Sequence, residues 1–168
     1  MEINRKLLVA IDDSESSDRA VTYVAQIING RKEFQILLFH VPEPMPPQLL
    51  EFGGVENPER DAGAETQFRQ AQSVKVAEMS RTVQPIFARA QSRLREAHIP
   101  EQAIKTELFM PPAEQSLDTS IVQAARAHGC NTVVVGRGAF SWLRELVQTH
   151  VADKLLQQAD DLTLWIVY

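Results

Sequence analysis

The stretch Leu7-Leu8-Val9-Ala10-Ile11-Asp12-Asp13-Ser14 decides how the rest of the chain is read. Its first five residues are apolar without alternation, which marks a strand buried on both faces, as in a parallel sheet. Two carboxylates end the run. Ser14, Ser16 and Ser17 follow, each able to cap a helix because a hydroxyl oxygen accepts from the orphan amides of a first turn. Ala20, Val24 and Ile28 recur at spacing four with Val21 and Ala25 beside them, and Asn29-Gly30 predicts a left-handed helix end. A second apolar run, Phe34 to Val41, completes strand, helix and strand. Parallel strands need such a crossover, so the chain opens with a βαβ unit.

Beyond it, Pro42, Pro44, Pro46 and Pro47, then Gly53-Gly54 and Pro58, predict a Pro-rich variable loop at about 42–62. From about Ala64 to Ala97 the pattern is helical, with Val83, Phe87, Ala90, Leu94 and Ala97 on one face. Pro85 either kinks this helix or starts a new one. Ile104, Thr106 and Leu108 alternate with Lys105 and Glu107, as in a half-exposed edge strand. A helix through Leu117, Ile121, Val122, Ala124 and Ala125 ends at His128-Gly129. Thr132 to Val135 is another buried strand, closed by Gly136-Arg137-Gly138. A helix from about Ser141 to Gln158 carries Leu143, Leu146, Val147, Val151 and Leu155, and Leu162 to Tyr168 is the last strand. Five strands alternating with four helical regions predict an α/β fold: one domain over residues 1–168, a doubly wound parallel sheet with helices on both faces.

Composition narrows the function. The 168 residues carry 17 Lys and Arg against 22 Asp and Glu, a net charge of −5, with no dense basic block. A sequence-independent grip on nucleic acid is not expected. No apolar run approaches the roughly 20 residues that span a bilayer, so no membrane role is expected. The opening Met-Glu-Ile-Asn-Arg-Lys is no signal peptide, and a cytoplasmic protein is expected. The single cysteine, Cys130, excludes an internal disulfide and reads as a small hydrophobe. His40, His98, His128 and His150 are scattered without ligand spacing, so no metal site is expected. His40, near the end of a buried strand, reads as a packed core histidine. Ser141 lacks a Gly-x-Ser-x-Gly setting or a triad, and no catalytic residue is named.

In a doubly wound sheet, ligands bind beyond the carboxyl ends of the strands, where strand order reverses. Asp12-Asp13-Ser14 and Gly136-Arg137-Gly138 both follow strands, and they line one crevice if those strands are neighbours. Glycines let a backbone approach a ligand, and a helix start just beyond favours an anion. Asp12 is suited to accept from an adenine amine or a sugar hydroxyl. It is equally suited simply to cap the first helix.

Together these segments carry a resemblance. Val9-Ala10-Ile11-Asp12-Asp13-Ser14, with Ser17 and Ala20, resembles the opening motif of the universal stress protein family. Leu38-Phe39-His40-Val41 is similar to that family's second strand. Val133-Val134-Val135-Gly136-Arg137-Gly138, followed by Ser141, Val151, Lys154 and Leu155, is similar to its C-terminal block. The resemblance covers nearly the whole chain. It implies the strand order 3-2-1-4-5, an adenine nucleotide alpha-hydrolase-like fold, and a homodimer formed through the last strand, at Leu164, Trp165, Ile166, Val167 and Tyr168.

Many members of that family bind ATP, and others do not. In the binders, the aspartate ending strand one and the backbone of the valine ending strand two hold the adenosine. Those positions are Asp12 and Val41 here, with Ala10 and Ser14 beside them. The phosphates are held by Gly-x-x-Gly, nine residues, then Gly-Ser/Thr. Gly136 matches the first glycine, but Ala139, Thr149 and His150 stand at the other three positions, with Val151 next. Gly138 replaces the second glycine only with a shift of one residue, and Arg137 offers nearby charge. Alanine narrows the approach to a phosphate. Thr149 adds a branched side chain, and a neutral His150 donates through one ring nitrogen only. The expectation is therefore a non-catalytic, dimeric stress-response module with a degenerate nucleotide site and no required cofactor. One alternative is a regulatory switch binding ATP or AMP with magnesium. A second is a weak nucleotide hydrolase. Partner proteins are not specified.

Overall fold

The computed structural model describes residues 4–43, 58–112, 115–140 and 151–168. Their order is β1 (Lys6–Ala10), α1 (Glu15–Ile28), β2 (Gln35–His40), α2 (Pro58–Glu96), a 3-10 turn (Glu101–Ala103), β3 (Ile104–Leu108), α3 (Leu117–Ala127), β4 (Thr132–Gly136), α4 (Val151–Gln158) and β5 (Thr163–Val167). The five strands form one sheet in the order β3-β2-β1-β4-β5, and every pairing is parallel. From β1 the chain winds outward through β2 to β3. It then crosses back to place β4 on the other flank of β1, with β5 outside it. The reversal therefore falls between β1 and β4.

The continuous apolar runs are explained by burial on both faces. Leu7, Val9 and Ile11 join one core cluster with Val24 and Ile28 of α1, Phe87 and Leu94 of α2, and Val134 of β4. Leu8 and Ala10 point the other way and join Ile121 and Ala125 of α3, Val133, Val135 and Leu155. Each large apolar side chain so enclosed contributes about 2 kcal/mol by leaving water.

Ser14 is the N-cap of α1, its hydroxyl accepting from the Ser17 amide at 3.1 Å. The helix ends as its Asn-Gly pair predicts, with Gly30 at φ +74° and its amide donating to the Ala97 carbonyl. The sequence leaves Pro85 as a kink or a new start; no new helix starts there, and α2 runs through it as one helix of 39 residues. Proline inside a helix costs about 3 kcal/mol. Here it sits on the exposed side, while its neighbours Val83, Ile86 and Phe87 are buried against the sheet and offset that cost. The helix also begins earlier than expected, so residues 58–62 are helical and not part of the Pro-rich loop. Proline suits a first helical position, where its missing N–H has no intrahelical role. Of that loop, residues 44–57 lie outside the described residues, as does the expected start of the last helix at 141–150.

A cluster of charges ties α1 to α2. Arg89 reaches Asp13 at 2.8 Å and Asp18 at 3.0 Å, and Arg93 reaches Asp18 at 3.3 Å and the Thr22 hydroxyl at 2.7 Å. Such half-exposed pairs contribute about 1 kcal/mol or less each. They fix the position of α2 beside the turn that follows β1.

Candidate functional site

Because β1 and β4 are neighbours, the turns that follow them meet at the carboxyl end of the sheet. Asp12 lies between them, only 7% exposed. Its Oδ1 accepts from the Ser14 hydroxyl at 2.5 Å and the Ser14 amide at 3.2 Å. Its Oδ2 accepts from the Phe140 amide of the β4 turn. The Asp12 amide in turn donates to the Ser17 hydroxyl at 3.0 Å. The sequence offered Asp12 as a helix cap or as a ligand acceptor. In the structure the capping hydroxyl belongs to Ser14, and Asp12 orients it while fastening the β4 turn to the β1 turn.

Gly136 closes β4 against the first turn of α1. A Cβ added there would stand 2.1 Å from the Ser16 carbonyl oxygen and 2.9 Å from the Ser17 amide nitrogen. Its missing side chain is thus explained by contact between helix and sheet. The backbone next turns sharply: the Ala139 amide donates to the Gly136 carbonyl at 3.0 Å, Gly138 has φ +92°, and Phe140 has φ +59°. Ala139 is buried and is not left-handed, so alanine at this position carries no backbone strain. Phe140 is fully buried in the cluster that contains Ala10, Phe39 and Val41.

His40 supports the site from beneath. Its Nδ1 lies 2.7 Å from the Ile11 carbonyl, so that nitrogen carries the proton, and its ring meets Phe87 edge-on at 6.3 Å. Burial lowers its pKa, against the Ile11 hydrogen bond and the nearby Asp12 charge, which raise it. The reading of His40 as a packed histidine agrees with this geometry.

The remaining sequence-named positions divide. Ala10, Asp12, Ser14 and Val41 are brought to one end of the sheet with Gly136, Gly138 and Ala139. Arg137 turns elsewhere: its amide donates to the Val167 carbonyl at 2.6 Å, and its guanidinium lies 4.5 Å above the Tyr168 ring. Thr149 and His150 lie outside the described residues, and of Val151 only its place at the start of α4 is described. Sequence reasoning missed Phe140 and Arg89. An aromatic residue directly after a Gly-x-Gly-Ala turn, where a ligand needs room, was the available signal for Phe140.

The two edges of the sheet differ. On β3, Lys105 and Thr106 are exposed. On β5, Leu164, Trp165, Ile166 and Val167 are half-buried, Trp165 meets Tyr23 edge-on at 6.0 Å, and Tyr168 is exposed. Among the described residues, no group of three or more His, Cys, Asp or Glu converges on a possible metal position, and no helix is long and apolar enough to cross a membrane. Buried Cys130 has its thiol pKa raised by desolvation.

The model of the universal stress protein family matches residues 4–163. The chain belongs to the universal stress protein family. Solved structures share its fold. A universal stress protein family member from Burkholderia pseudomallei is 20% identical, with TM-score 0.58 over 98% of this chain and 96% of that one. A universal stress protein solved in complex with cAMP is 16% identical, with TM-score 0.59 over 98% and 96%. The universal stress protein from Archaeoglobus fulgidus in complex with dAMP is 15% identical, with TM-score 0.53 over 99% and 100%. Among curated proteins, none matches the sequence. For this universal stress protein, the family match agrees with the observed strand order.

Proposed function

We propose that this chain is a cytoplasmic, non-catalytic module of the stress response, a homodimer whose adenine-nucleotide site is degenerate. One observation carries the reading: Asp12, the carboxylate expected to receive a base, already accepts from the Ser14 hydroxyl, the Ser14 amide and the Phe140 amide. Three of its roughly four acceptor positions are thereby taken within the protein, which leaves little for a ligand or a water. The substitution of Ala139, Thr149 and His150 in the phosphate motif points the same way. Two relatives of this fold were crystallised with cAMP and dAMP, which makes an adenine nucleotide the ligand class to try. The test is to identify any nucleotide released from gently purified protein, then to titrate the apo protein with Mg-ATP by calorimetry. The reading expects no bound nucleotide and binding in the millimolar range. A micromolar titration overturns it in favour of the second reading, a switch responsive to ATP or AMP, which the meeting of Asp12 and Val41 at one sheet end favours.

The dimer rests on the apolar edge of β5, which β3 does not share. Exposed edges of that kind invite pairing. Sedimentation velocity is expected to find a dimer, and Ile166→Glu a monomer. A monomeric parent at high concentration sinks this part of the reading.

A further inference from the structure

The Asp12–Phe140 contact does more than close a turn. Phenylalanine at φ +59° is a conformation that L side chains with a bulky Cβ substituent rarely adopt, and it persists only where its surroundings hold it. Two things hold it here. The Phe140 amide donates to Asp12 Oδ2, and the ring is wholly enclosed in the cluster with Ala10, Phe39, Val41 and Leu155. A flat apolar ring on the floor formed by the ends of β1 and β2, with an N–H donor aimed at the Asp12 carboxylate, is also what an adenine base with its exocyclic amine would supply. Oδ1 is committed to Ser14, so Oδ2 is the oxygen such an amine would reach, and Phe140 holds it. Gly138, at φ +92° two residues earlier, is free of Cβ constraints and suited to act as the hinge.

We infer that Phe140 is an internal stand-in for an adenine base, latching the base subsite shut in the free protein and competing with adenine ligands for Asp12. The inference rests on the nucleotide reading above and adds how that site is regulated. Opening releases the left-handed strain at residue 140 but exposes the ring, so the closed form dominates. Apparent affinity then falls by the fraction of molecules that are open. Anything that draws Phe140 out raises affinity for the base without touching a phosphate contact.

The test uses the full chain, titrated with Mg-ATP and separately with adenosine. Phe140→Gly, which accepts the left-handed backbone, is compared with the parent, and Phe140→Ala serves as a second variant. Amide exchange at residue 140 is followed in the parent with and without ATP. The expected result is a gain of about tenfold or more in affinity for both ligands in Phe140→Gly. Protection at the residue-140 amide should fall when ATP is added to the parent. Equal affinity in all three proteins overturns the latch and leaves nucleotide binding standing. A gain for ATP without one for adenosine also overturns it, because the effect then lies with the phosphates. If none of the proteins binds either ligand even at millimolar concentration, the residual nucleotide site of the reading above does not exist and the latch fails with it. An amide at residue 140 that exchanges freely in the unliganded parent overturns the latch without any variant.

Discussion

The turn after β1 and the turn after β4 face each other across Asp12, yet they are held in different ways. The first is a net of polar contacts: Asp12, Ser14, Ser16 and Ser17 bond to one another and start α1. The second is held by space. Gly136 has no room for a Cβ, Ala139 and Phe140 are buried, and two of the three residues after Arg137 have positive φ. A net of hydrogen bonds loses one contact at a time. A close fit of backbone to backbone fails as a whole, and substitutions that strike the two turns separately will expose that contrast.

The largest loss is expected at Gly136→Ala. A methyl 2.1 Å from the Ser16 carbonyl meets backbone, which cannot swing aside as a flexible side chain would. The helix start and β4 must part, at about 3 kcal/mol, or roughly 6 to 12 °C in melting temperature. A melting point within a degree of the parent would show that the two turns do not touch as described.

Asp12→Ala comes next, at about 2 kcal/mol by chemical denaturation, because the buried Phe140 amide loses its acceptor and Ser14 its orienting partner. Ser14→Ala removes only the cap from α1, and about 1 kcal/mol is expected. If Ser14→Ala costs as much as Asp12→Ala, the carboxylate serves the first turn alone and the bridge to β4 carries no weight.

The contrast also explains what was legible. The β1 turn is written locally: an apolar run, two acids and three hydroxyls within a dozen residues state strand, stop and cap. The sheet order followed from a resemblance covering nearly the whole chain, and the structure agrees with it. At the β4 turn the sequence leaves ligand binding and plain turn chemistry both open, because glycines there have two possible causes, a ligand's approach or a helix's, and only the partner backbone distinguishes them. At Gly136 that partner is Ser16, 120 positions away in the sequence. Phe140 was overlooked for the same reason, since its bonding partner Asp12 is 128 positions distant. Pro85 was ambiguous because a proline's cost depends on what its neighbours bury, which periodicity alone does not weigh.

The smallest expected effect is one of pH, and it isolates the support beneath the first turn. His40 binds the Ile11 carbonyl, one residue before Asp12, and its folded pKa lies below the ordinary value of 6.5, mainly through burial. The unfolded chain therefore binds more protons than the folded one between that lowered value and 6.5. Stability from a neutral, buried His40 is complete above about pH 6.5 and is lost as pH falls through the window beneath it. The free energy of unfolding should consequently decline from pH 7 toward pH 5. His40→Leu should be less stable than the parent at pH 7, having lost the Ile11 bond, yet show a flatter profile. Equal slopes for the two proteins would assign the acid sensitivity to groups other than His40, and leave the β1 turn dependent on its serines and Asp12 alone.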